Sequence, residues 1–116
     1  MIDIKQFAIQ QTADVVIKHP VTGEPLTDGK KTATVKLMSR ANPVYRKAAV
    51  AYVEAIRAEG ATAEQKEAAA NAFIQSAVLG FSNINATAEN LAEPEFSWLR
   101  EQVDAALGDV SLFLPQ

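Results

Sequence analysis

Two short stretches near the start of the chain alternate apolar and polar residues with the period of a half-buried strand. In residues 12–19 the side chains of Ala13, Val15 and Ile17 share one face. In residues 32–38 those of Ala33, Val35 and Leu37 do the same. The intervening residues 20–31 hold two prolines, two glycines and an Asp-Gly pair, which is turn chemistry. The pattern predicts a β-hairpin whose loop is longer than the usual two-residue turn. Two strands alone are marginal in water, so this hairpin needs helices on its apolar face or strands from another subunit.

From residue 43 the period changes to that of a helix. Asn42 followed by Pro43 pairs a capping side chain with a proline at the first helical position, and no breaker follows until Gly60. Tyr45, Ala48, Ala49, Tyr52 and Ile56 form one stripe over 43–59, widened by Val50 and Val53. Thr62 and Gln65 fit a capping box and open a second helix over 63–79, with Ala69, Ala72, Phe73, Ser76 and Ala77 on one face. The short link between the two predicts an antiparallel helical hairpin. Residues 81–93 read as a polar loop with a turn of helix in 86–92. A third helix spans 94–107, with Pro94 in its first turn and Gly108 just past its end. Phe96, Leu99, Val103, Ala106 and Leu107 mark its packing face, while Arg100, Glu101 and Asp104 turn largely away. The weakly patterned first ten residues are either a helical turn or an irregular arm. The element order is ββααα, an α+β fold in which an N-terminal β-hairpin (1–41) precedes a three-helix segment (42–116) packed on one face of the hairpin. It forms a single domain over 1–116.

Two features stand outside this packing pattern. Trp98 lies off the main stripe of its helix, where it either widens the buried face or anchors a protein interface. The terminal run Val110, Leu112, Phe113 and Leu114 is too apolar to hang in water. It is docked on its own domain or presented to a partner. Trp98 and this run are the candidate protein-interaction residues.

Composition narrows the function classes. The chain has 116 residues, 48% of them apolar and 22% charged, enough for one modest core. With no cysteine it has no disulfide, thiolate nucleophile or thiolate metal ligand. Its apolar runs fall well short of the ~20 residues of a membrane helix, and residues 1–10 lack a signal-peptide pattern. The expectation is a cytoplasmic protein without membrane contact. The formal net charge of −3 conceals two unlike halves. Residues 1–47 carry 8 Lys and Arg against 4 Asp and Glu, a net of +4; residues 48–116 carry 3 against 10, a net of −7. Such halves attract within a molecule or between copies, which together with the bare hairpin predicts a homo-oligomer.

No spacing points to catalysis, a cofactor or a metal. Gly23, Gly29, Lys30, Lys31 and Thr32 miss a phosphate-binding loop at two places, and a hairpin loop is the simpler reading. His19, the one imidazole, precedes Pro20 at a strand end and reads as structural. Glu64 and Glu67, and Glu89, Glu93 and Glu95, suit solvated helix starts. The basic group Lys30, Lys31, Lys36, Arg40, Arg46 and Lys47 has no interleaved aromatic residues, which argues against nucleic acid.

Two blocks carry a family resemblance: VVIKHPVTGEPLTDGKKTATVKLMSRANPVYRKA and SAVLGFSNINATAENLAEPEFSWLREQVDAALGDVSLFLP. With its Asn-Leu segment, Trp-Leu-x-x-Gln-Val core and terminal Phe-Leu, the chain resembles the tail assembly chaperones of long-tailed bacteriophages. Members often carry Trp and Gly-Pro where this chain has Phe81 and Ser39-Arg40. The resemblance implies a non-catalytic protein of the bacterial host cytoplasm that binds the tail tube and tape measure proteins during assembly, self-associates, and is absent from the finished virion. The competing expectations are a small structural tail or head-completion protein retained in the particle, and a nucleic-acid-binding regulator.

Overall fold

A computed structural model describes residues 1–115 of the chain. In chain order the regular elements are β1 (Thr12–Val16), β2 (Thr27–Asp28), β3 (Lys31–Thr32), β4 (Thr34–Met38), α1 (Pro43–Arg57), α2 (Ala63–Ala77), β5 (Val78–Ser82) and α3 (Ser97–Leu107). Short 3₁₀ turns occupy Ile4–Phe7, Ala88–Ala92, Pro94–Phe96 and Val110–Phe113. The fold is α+β, an N-terminal hairpin followed by three helices.

The hairpin pairs as its alternation requires. Ala13 stands opposite Leu37 and Val15 opposite Val35. The Ile17 N–H extends the ladder to the Ala33 carbonyl at 3.0 Å, although regular strand ends at Val16. Ala33, Val35, Leu37 and Ile17 are all buried, so one face of the sheet is core. Within the long loop, β2 and β3 form a small hairpin of their own, with Gly29 at φ 65°, a left-handed turn position that glycine occupies without Cβ strain.

The sheet has a third strand that the residue pattern does not predict. Residues 78–82 leave α2 with no intervening turn and pair antiparallel with β4, Phe81 opposite Val35. The strand order is β1-β4-β5, so the extra strand covers the edge that a two-stranded hairpin would leave bare. The second helix accordingly stops at Ala77, and the expected loop from Phe81 begins as strand. Two features hide it. Gly80 offers no side chain, and a register shift beside Lys36 and Leu37 breaks the alternation.

The helix caps form as the residues suggest. The Asn42 side chain accepts from the Val44 N–H at 2.9 Å. Thr62 Oγ1 accepts from the Gln65 N–H at 3.1 Å, and Gln65 Oε1 accepts from the Thr62 N–H at 2.9 Å. α3 lies on the inner face of the sheet and buries Leu99, Val103, Ala106 and Leu107. α2 is apolar on two sides: Ile74 and Ala77 enter the core, while Phe73 meets Tyr45 and Tyr52 of α1 with ring centroids 5.2 and 5.5 Å apart. α1 contributes no fully buried residue and packs mainly on α2. The hairpin of α1 and α2 therefore stands beside the sheet–α3 body and gives the molecule extents of 48 × 45 × 20 Å.

Candidate interaction surface

The strand edge at β1 is where the fold leaves backbone unused. The Ile17 N–H and the Gln11 carbonyl both bond toward β4 and its neighbours, at 3.0 and 2.9 Å. Strand alternation then turns the N–H and C=O groups of Asp14, Val16 and Lys18 outward. At one end of this edge the carboxamide of Gln102 closes on Lys18: its Oε1 accepts from the Lys18 N–H and its Nε2 donates to the Lys18 carbonyl, both at 2.8 Å. The side chain thus stands in for one residue of a neighbouring strand. At the other end the Gln10 N–H donates to the Phe113 carbonyl at 2.7 Å. Between these anchors β1 is an edge strand, and among the described residues no strand lies beside Asp14 and Val16.

Beneath that edge runs a groove of about 430 Å³ between the sheet and α3. Val15, Val16 and Leu112 supply its accessible apolar surface over a floor of the buried core residues Ile17, Leu99, Val103 and Ala106, and Asp14, Lys18 and Asp109 stand among its polar lining. An extended segment entering here meets unpaired backbone on one side and hydrocarbon on the other, the combination that binds by strand addition.

The candidate residues of the terminal segment divide. Phe113 is 2% exposed and belongs to the core, so the segment is docked on its own domain. Its side chain is taken up there and offers no free surface. Val110 and Leu114 are half-buried. Leu112 is 38% exposed and lines both the groove under the β1 edge and a larger depression of about 600 Å³ bounded by Gln10, Thr12 and residues 111–115. Trp98 is half-buried and packs against the core cluster from its edge. It does not line the groove with Leu112.

Other residues singled out by chemistry take structural positions. His19 Nδ1 accepts from the N–H groups of Val21 and Thr22 at 3.1 and 3.3 Å and holds the start of the loop. Arg100 is half-buried instead of turned away, and its guanidinium donates to Asn71 Oδ1 of α2. Among the described residues no three His, Cys, Asp or Glu side chains are grouped closely enough to hold a metal ion. Among the described residues no helix is long and apolar enough to cross a membrane. The residue pattern gave no sign of Gln102, because its partner Lys18 is 84 positions away.

No protein-family model matches the chain, nor does any curated protein or solved structure.

Proposed function

We propose that this protein is a non-catalytic assembly chaperone of a long-tailed bacteriophage, holding the tail tube and tape measure proteins in the host cytoplasm until they assemble. The observation that carries this reading is the groove under the β1 edge. A chaperone of this kind must present apolar surface to a client that has not yet found its own partners, and release it afterwards. Unpaired edge backbone beside a 430 Å³ apolar groove meets that need. The two sequence blocks that resemble tail assembly chaperones give the client its class.

The test is co-expression with the tail tube and tape measure proteins of the same phage, followed by analysis of purified particles. Co-purification with either client, and absence of the chain from finished particles, is the expected result. Leu112→Glu places a charge at the groove mouth and lowers client recovery about tenfold, with the far-ultraviolet spectrum unchanged. A chain found in fixed ratio in purified particles is a structural tail or head-completion component instead. Salt-sensitive retention on DNA without client capture identifies a nucleic-acid-binding regulator.

A further inference from the structure

We propose that the carboxamide of Gln102 is a displaceable plug on the β1 edge. It occupies the Lys18 backbone while the edge is empty, and one non-proline residue of an extended client segment, pairing antiparallel, takes its place. This rests on the reading of that edge as a strand-addition site. It adds which client chemistry the edge accepts and how the edge is guarded when no client is bound.

Lys18 stands in line with the open edge. Its neighbour Ile17 is paired on the inner side, donating to the Ala33 carbonyl at 3.0 Å and accepting from the Leu26 N–H at 2.9 Å. Lys18 itself bridges antiparallel to Pro25. The chain is therefore still extended at Lys18, although regular strand ends at Val16. Asp14, Val16 and Lys18 then turn their backbone groups outward at intervals of about 7 Å. Of these three only Lys18 is taken, by the two 2.8 Å bonds of Gln102. A client meets two outward residues with the plug in and three with it out.

The exchange is chemically even. A carboxamide offers one carbonyl and an N–H, the same pair that a strand residue presents to the residue opposite. Two hydrogen bonds are broken and two equivalent ones form. Proline has no N–H and would leave the Lys18 carbonyl unpaired, so it cannot complete the exchange. Lys18 is exposed and Gln102 half-buried, so water reaches both while the plug is open and neither is left unsatisfied.

A fixed brace would have less reason to be here. α3 already holds to the sheet through Leu99, Val103, Ala106 and Leu107, all buried, and needs no polar tie at its rim. An empty edge strand, by contrast, is a template for unwanted pairing. A plug that only a matching backbone removes shortens that template until a client arrives. Gln102 also lines the groove, so its departure opens the groove at the Lys18 end.

The test uses the full chain and a short fluorescent peptide of alternating valine and threonine with lysine at both ends. Gln102→Ala removes both bonds, and Gln102→Glu keeps the side chain's size but cannot donate to the Lys18 carbonyl. Both should bind the peptide more tightly than the natural chain, Gln102→Ala by about tenfold, since each net hydrogen bond is worth roughly fivefold in an opening equilibrium. The same peptide N-methylated throughout should bind none of them. With no peptide present, Gln102→Ala should speed exchange of the Lys18 amide and leave that of Ile17 protected, which shows the fold intact. Saturating peptide should move the Gln102 side-chain amide resonances of the natural chain to those of a solvent-exposed glutamine. Equal or weaker peptide binding by both variants overturns the proposal and makes Gln102 a fixed brace. So does a bound state in which the carboxamide still holds Lys18, or a failure of every form to bind the peptide. If the plug behaves as expected and the tail proteins are not captured, the chaperone reading falls and the plug stands. Capture of the tail proteins with no gain in peptide binding does the reverse.

Discussion

Leu99 and Trp98 are neighbours in sequence and about 100° apart around α3, and the fold treats them differently. Leu99 is 2% exposed among the sheet residues, and Trp98 only borders the same cluster. Leu99→Ala should cost about 2–5 kcal/mol through a cavity the rigid sheet cannot refill, read as a lowered melting temperature. Trp98→Ala should cost less, leave the far-ultraviolet spectrum intact, and reduce self-association or client capture if the ring is also an anchor. Equal destabilisation by both, with no binding loss beyond it, would make Trp98 plain core. Leu99, Val103, Ala106 and Leu107 could be assigned to the packing face from spacing alone, because a helix with one buried side repeats its apolar residues at 3.6. Phe96, expected on the same face, instead closes the 3₁₀ turn ahead of α3 and lies outside the core cluster. Arg100 could not. Its partner Asn71 belongs to another helix, and nothing in the local period marks a polar pair that closes across 29 residues.

Elements whose stability is local were readable, and those made by distant partners were not. The capping box at Thr62 and Gln65 and the cap at Asn42 are decided within four residues, and both form. β5 is decided by β4, whose open side gives residues 78–82 a ladder they could not make alone. The groove is harder still, because it exists only once β1, α3 and the terminal segment meet. The uneven burial of the helices has a measurable consequence. α1 buries no residue fully while α3 buries four, so α1 should open without the rest of the molecule. In hydrogen exchange at concentrations that favour the monomer, amides of 48–57 should exchange well before those of 99–107. Thr62→Ala removes a cap worth about 1 kcal/mol and should widen that gap by speeding exchange in α2's first turn and α1. Protection of α1 equal to that of α3 under those conditions would show one cooperative unit instead.

On the scale of the whole molecule, the sheet and α3 make a closed body while the helical hairpin is an excursion from it. Residues 39–77 leave the end of β4 and return directly as β5, which lies against the strand they left, with Val78 opposite Leu37. The sheet is therefore indifferent to how far the excursion travels. Its inner half is constrained, by Ile74 and Ala77 in the core, by the hydrogen bond from Arg100 to Asn71, by Tyr45 and Phe73 against the core, and by Asn42 and the buried Ser39 at the exit from β4. The far turn between Arg57 and Ala63 carries Gly60 at φ 78° with nothing crowded around it. Closing a longer loop adds little entropic cost, about 0.6 kcal/mol for each doubling. Related chains could thus lengthen or shorten the two helices together, a turn at a time, and change the reach of the arm without redesigning the strands that anchor it.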